Sequence, residues 1–232
     1  MDEKISTGSE VFDWLLDGGI EKEVITTIYG PAGSGKSNFC ILTVANFPKD
    51  KKIVYIDTEG SFSITRLKQV SKNYESIMDR MVFLKPTNFE EQKTYFEKLK
   101  ELVDDDIGLI VFDSVAMLYR LEIGKNKDVY SINKELGIQL SYLSEIARKK
   151  HIPVLVTNQV YSDFEDRDKV NLVGGDILKY TSKCLIELKK ADSLRKAILR
   201  KHRSLPDKRA ITFKIINEGV ERVKKNNKTI PQ

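Results

Sequence analysis

The stretch GPAGSGKS, Gly30 to Ser37, combines residue types suited to holding phosphate. It satisfies G-x-x-x-x-G-K-[ST] and follows the β-rich run VITTIY at 24–29, with a helical segment after it. Gly30, Pro31, Ala32, Gly33, Ser34 and Gly35 make a backbone that curls with its N–H groups inward. The helix opening around Asn38 adds positive potential at the same place. Lys36 is expected to meet the β and γ phosphates, and the Ser37 hydroxyl to ligate Mg²⁺. The ligand these residues suit is ATP with Mg²⁺.

Such a site needs a second carboxylate for the metal's water shell. Asp113 ends the apolar run IGLIVFD at 107–113, which puts it at the carboxyl edge of a strand, where the nucleotide lies. Hydrolysis also needs a group to orient or deprotonate water. In YIDTEGSF, Glu59 stands just past the strand at 52–57, while Asp57 is closer to the sheet and reads as structural. Beyond the run at 152–158, Asn158 and Gln159 reach the same edge, where a neutral amide either senses the γ-phosphate or satisfies loop backbone.

A different chemistry is suggested by RKHRSLPDKRA, Arg200 to Ala210, in which six of eleven residues are cationic or can become so. Residues 179–232 carry sixteen Lys and Arg against five Asp and Glu, +11, which leaves −6 for the rest of a chain of net charge +5. A basic C-terminal third points to a polyanion, and Lys189, Lys190, Arg195 and Lys196 are its expected contacts with DNA. The alternative is a Lys-rich solvated surface.

The elements that must position these groups alternate between strand and helix. Short apolar runs at 52–57, 81–86, 107–113 and 152–158 read as strands buried on both faces. Between them, Phe89, Phe96, Leu99 and Val103 keep helical spacing, with Asn88 and Glu91 as a capping box. Leu136, Leu140, Leu143 and Ala147 form a second stripe. After residue 180 the pattern turns to short strands at 184–188, 196–202 and 210–216, separated by turn residues. The expectation is an α/β fold with a mostly parallel central sheet flanked by helices and a small antiparallel C-terminal extension. It is read as one domain over 1–221 with a polar tail at 222–232. No apolar run approaches membrane-spanning length and the N-terminus lacks signal-peptide character, so a cytoplasmic protein without a membrane partner is expected. Cys40 and Cys184 lie in apolar surroundings and read as reduced core residues.

ISTGSEVFDWLLDGGI, GPAGSGKS, DTEGSF, FDSVAMLYR and VTNQV occur, in this order, across residues 5–221, and together they resemble the RecA superfamily. The similarity is to its archaeal and eukaryotic recombinase branch, and within it to the short archaeal paralogues of RadA. That resemblance implies a RecA-like ATPase core, with Glu59 as catalytic carboxylate, Asp113 as metal residue and Gln159 as γ-phosphate sensor. It also implies that the Arg66 guanidinium stacks on adenine. The LPDK turn resembles the segment that caps a neighbour's ATP, so Lys201, with His202 or Arg203, is expected either to act in trans on a second copy, as in a homodimer, or on a RadA-like recombinase, or else to form an exposed basic hairpin that touches DNA or only water. Strand alternation is expected to put Lys201 and Arg203 on one face and His202 on the other.

Departures from the branch carry expectations too. Only four residues precede ISTGS and no F-x-x-A occurs, so neither an N-terminal helical DNA-binding domain nor filament self-assembly is expected. The family's DNA loops fall at about 121–131 and 161–175, where charges cancel or turn acidic. The function expected is an ATP-binding accessory protein of recombination and repair, weakly hydrolytic, that binds single-stranded or branched DNA with little sequence preference and assists RadA. The alternative is a KaiC-like signalling ATPase without DNA, and a third reading is an adaptor in which ATP is only a conformational ligand.

Overall fold

The computed structural model describes residues 3–125, 128–162 and 170–223, with backbone alone at Tyr161, Ser162, Val170 and Asn171. The expectations for the tail beyond 223 and for the acidic stretch at 163–169 lie outside the described residues.

The first half contains β1 (Lys4–Ile5), α1 (Glu10–Leu16), β2 (Ile20–Glu21), β3 (Ile25–Tyr29), α2 (Lys36–Asn46), β4 (Lys52–Asp57), α3 (Ile64–Val70), α4 (Tyr74–Met78) and β5 (Met81–Leu84). The chain continues through α5 (Phe89–Leu102), β6 (Ile107–Asp113), α6 (Ala116–Lys125), α7 (Val129–Lys150), β7 (Val154–Asn158), β8 (Val160–Ser162), β9 (Val170–Leu172) and α8 (Gly175–Thr181). It closes with β10 (Cys184–Ala191), β11 (Leu194–Lys201), β12 (Ala210–Ile216) and β13 (Gly219–Arg222). The strands expected at 81–86 and 152–158 are shorter than the apolar runs. Pro86 and Pro153 fall outside them, since proline has no N–H for the ladder.

One nine-stranded sheet runs β13-β12-β11-β10-β3-β7-β6-β4-β5. The neighbours from β10 to β5 pair in parallel, and β11, β12 and β13 add on as antiparallel strands. Alternation along each strand feeds two cores. Ile53, Tyr55, Leu109 and Val111 pack on the face covered by α1 and α2, whereas Val54, Ile56, Ile110 and Phe112 pack on the face covered by α5 and α7. Phe12 ties α1 to the sheet and to α2, with ring centroids 4.5 Å from Phe39 and 5.2 Å from Phe213. The helix stripes behave as the spacing predicts, since Leu136, Leu140, Leu143 and Ala147 are all buried.

Two local expectations are corrected. Asn88 does cap α5, accepting from the Glu91 N–H at 2.8 Å, but the Glu91 carboxylate returns to the N–H of Thr87 rather than that of Asn88. The loop expected at 121–131 is largely helix, because α6 extends to Lys125 and α7 starts at Val129. Asp128 supplies the N-cap that restarts the helix, accepting from the Ser131 N–H. Because β3, β4, β6 and β7 are mutually parallel, their carboxyl ends share one rim. The residues expected to serve the nucleotide within one chain come together there.

Candidate active site

The loop from Gly30 to Gly35 bends between β3 and α2, with Gly35 capping the helix at φ 105°. A Cβ on Gly30 would stand 2.3 Å from the Leu188 carbonyl oxygen, so β10 presses directly on the loop. Lys36 is buried and donates to the carbonyls of Gly30 at 2.9 Å and Pro31 at 3.1 Å. Burial lowers its pKa, with Glu59 and Asp113 pulling the other way. Ser34 Oγ and Asn38 Nδ2 are buried with no hydrogen-bond partner among the described residues. A loop with curled backbone, a buried ammonium and orphaned polar atoms suits a polyanionic ligand.

Asp113 is 2% exposed and lies at the centre of a hydroxyl network. Its Oδ2 accepts from Tyr55 at 2.9 Å and from Ser61 at 2.8 Å, and its Oδ1 accepts from Thr157. Ser37 Oγ donates to Ser61 Oγ at 3.3 Å, so the P-loop hydroxyl and the Asp113 carboxylate are joined through one serine. Hydroxyl and carboxylate oxygens are the hard donors Mg²⁺ takes, which makes Ser37 and Asp113 a fitting pair for it. Asp57 accepts from the N–H groups of Ser61 and Phe62 at 3.0 and 3.2 Å, which is the structural role its position predicts. Tyr55, Ser61 and Thr157 were not singled out from the sequence. Their only signal was a polar or aromatic hydroxyl at or next to a strand's carboxyl end.

Glu59 and Gln159 meet at this rim. Gln159 Nε2 donates to Glu59 Oε1 at 2.8 Å, and the same oxygen accepts from Ser114 Oγ. Ser114 is itself fixed, since its N–H donates to Thr58 Oγ1 at 3.0 Å while Thr58 Oγ1 donates to its carbonyl at 2.7 Å. Asn158 points elsewhere, donating to the Val173 carbonyl at 2.8 Å, so it satisfies loop backbone and leaves Gln159 as the amide at the site.

Arg66 stands beside the P-loop in a cleft of about 370 Å³ lined in part by Ser37, Asn38, Ile215 and Asn217. Its Nε donates to Asn38 Oδ1 at 2.7 Å, and its Nη atoms donate to the carbonyls of Ile216, Asn217 and Gly219 at 2.8 to 2.9 Å. These bonds lie in the guanidinium plane and leave its faces for stacking.

The basic residues divide between two places. Lys190 and Arg195 come to the P-loop rim, where Arg195 Nη2 lies 3.4 Å from the Gly33 carbonyl. Lys201 is at the opposite rim, because β11 runs antiparallel to β10 and pairs Lys201 with Leu185 near the start of that strand. Its ammonium donates to the Lys179 carbonyl at 2.6 Å, and burial and the charge of Lys183 lower its pKa. The face assignment expected for His202 is corrected. The strand ends at Lys201, alternation stops there, and His202 and Arg203 both turn to buried Glu21, at 3.7 and 3.0 Å. His202 Nδ1 accepts from the N–H groups of Ser204 at 3.1 Å and Leu205 at 3.2 Å, so its ring holds the following turn together.

Comparison with known proteins agrees with this geometry. The Rad51 family model matches residues 3–223. The RadB protein of Methanobrevibacter smithii is 42% identical over 226 residues, covering 94% of this chain and 95% of that one. Its counterpart in Methanococcus maripaludis strain C7 is 44% identical, covering 91% and 98%. A solved crystal structure of a RadB recombinase superposes with a TM-score of 0.80 at 35% identity, covering 94% of this chain and 99% of that one. Matched along nearly its whole length by that model and by proteins of its own size, the chain belongs to the Rad51 family, among its RadB members.

Proposed function

We propose that this protein binds Mg-ATP, hydrolyses it slowly, binds DNA and assists a RadA-like recombinase in repair and recombination. The observation that carries the ATP reading is the convergence of Lys36, Ser37, Asp113, Glu59 and Gln159 on one rim of one sheet. In this reading the loop N–H groups and Lys36 would hold the phosphates, and Ser37 and Asp113 would hold Mg²⁺, which would supply positive charge against the phosphate oxygens. Glu59 orients and deprotonates water. Gln159, now bonded to Glu59, exchanges that carboxylate for the γ-phosphate and so reports its presence. Slow turnover fits a catalytic carboxylate whose Oε1 is already engaged by two donors.

For DNA, the support is family membership together with the β10–β11 hairpin. Lys189 faces Lys196 across the strands and Lys190 faces Arg195; Glu187 lies 3.5 Å from Lys189 but is shared with Arg200, so these successive like-charge pairs are only partly neutralised by it. Among the described residues no helix is long and apolar enough to cross a membrane, and a cytoplasmic site of action follows from the nucleic-acid partner. Anisotropy titration of single-stranded and branched oligonucleotides over a salt series tests the DNA reading. A steep, sequence-tolerant loss of affinity with salt is expected, and no binding at low salt favours the signalling ATPase instead. Retention of a RadA-like recombinase on the immobilised protein, compared with and without Mg-ATP, tests the partnership.

A further inference from the structure

The hairpin of β10 and β11 has two faces, and its four cations divide between them. Lys190 alternates with Leu188 and Ile186, and Arg195 with Ala197 and Leu199, all of which are buried in the core shared with α2. The Lys190–Arg195 pair therefore lies on the P-loop side of the sheet. Lys189 and Lys196 project from the other side, where Lys189 Nζ is 3.5 Å from Glu187.

Contacts with the P-loop are specific. Arg195 Nη2 donates to the Gly33 carbonyl at 3.4 Å, and Lys190 Nζ lies 3.7 Å from where a Cβ on Gly33 would stand. One step back, the Leu188 carbonyl closes on Gly30. Arg195 Nε is buried without an acceptor among the described residues. Two cations held opposite one another against a loop built for anions cost stability, and so does an unmet guanidinium N–H.

We infer that Lys190 and Arg195 belong to the nucleotide site, as a cationic brace supplied by the same chain, and that the Lys189–Lys196 pair is what the hairpin offers to nucleic acid. The ligand class is the polyphosphate chain of a nucleoside triphosphate. Arg195 acts from outside the loop. By donating to the Gly33 carbonyl it fixes the curl of the loop, in the same peptide whose N–H, on Ser34, closes the turn onto the Pro31 carbonyl at 3.2 Å. Lys190 adds positive potential at the same position. Both groups leave the nucleophile and the metal untouched, so they are positioning residues rather than catalytic ones. This inference rests on the reading that the P-loop binds ATP, and it refines where the cations around it serve.

The test is a calorimetric titration of Mg-ATPγS into the wild type, Arg195→Ala, Lys190→Ala, Lys196→Ala and Lys36→Ala. Oligonucleotide anisotropy is run on the same proteins. Arg195→Ala and Lys190→Ala are each expected to weaken nucleotide binding by up to about fivefold, the upper end for a solvent-accessible charged contact. Lys196→Ala is expected to stay within about twofold for nucleotide while losing oligonucleotide affinity. Lys190 is exposed, so its variant reads the effect without risk to the fold. If Lys36→Ala loses nucleotide while both brace variants bind it as the wild type does, the inference falls and the ATP reading stands. If the wild type binds no Mg-ATPγS, the ATP reading falls and the inference with it.

Discussion

Replacing Gly30 by alanine tests how closely the P-loop is clamped by β10. The added methyl would stand 2.3 Å from the Leu188 carbonyl oxygen and 2.9 Å from Ser34 Oγ. Carbon and a carbonyl oxygen meet at about 3.3 Å, so roughly 1 Å must be found. Ser34 Oγ can rotate away. The Leu188 oxygen cannot, because Leu188 pairs with Ala197 inside the sheet and is itself fully buried. The loop must therefore retreat from β10, and a forced shift of this kind in a packed region costs about 1–3 kcal/mol. In a chain of this size a 2 kcal/mol loss lowers Tm by about 4–8 °C. A loop displaced by about 1 Å no longer presents its N–H groups to phosphate, and at least a tenfold loss of Mg-ATPγS affinity is expected. Gly137 is the control, since a Cβ there meets nothing within 4 Å and α7 is helical around it. Gly137→Ala is expected to stabilise the protein by up to about 1 kcal/mol. Urea denaturation and nucleotide titration read both variants. A Gly30→Ala protein with wild-type midpoint and wild-type affinity would refute the clamp.

Lys36→Ala removes the ammonium at the loop, and a loss of about 2–4 kcal/mol in Mg-ATP binding by calorimetry is expected; unchanged affinity would overturn the P-loop assignment. Glu59→Gln should keep nucleotide binding and abolish turnover in a single-turnover assay, whereas surviving hydrolysis places the base elsewhere. Burial holds the His202 pKa below its usual value, so the unfolded chain takes up the proton first as pH falls. Stability present at about pH 7.5 should therefore be lost progressively below about pH 6.5. His202→Gln should flatten that dependence in urea melts at pH 7.5 and 5.5, and an unchanged slope would show that another group is responsible.

The nucleotide rim was legible because its grammar is local. A glycine loop between strand and helix, a carboxylate ending an apolar run and an amide one residue past another strand each carry their meaning within a few positions. Thr157 and Ser114 escaped notice because a hydroxyl at a strand end has no periodicity and only its partners, Asp113 and Glu59, show what it does. Residue type and spacing left Gln159 and Asn158 equivalent, the resemblance chose Gln159, and in the fold the two amides turn to different partners. The brace on Gly33 was invisible for a different reason. Gly33 and Arg195 are 162 residues apart, and they meet because β10 was inserted beside β3, a neighbour relation that sequence order does not state. His202 was misplaced because alternation was carried one residue beyond the strand that enforces it.

Because β11 returns against β10, the P-loop and Lys201 lie at opposite ends of the same sheet. The Lys201 end of one molecule can meet the nucleotide rim of another in two ways, side by side as an antiparallel pair about a twofold axis or end to end in a head-to-tail stack. In the head-to-tail stack that contact is heterologous, so a pair joined this way would have one covered nucleotide rim and one open one. The resulting object has a direction. A copy that joins a row of relatives by its Lys201 end leaves its own nucleotide rim as the new terminus, whereas a copy that joins by its nucleotide rim leaves the Lys201 end outermost. In such a stack the two ends of one molecule would not be interchangeable, and any effect on a neighbour would depend on polarity as well as on affinity.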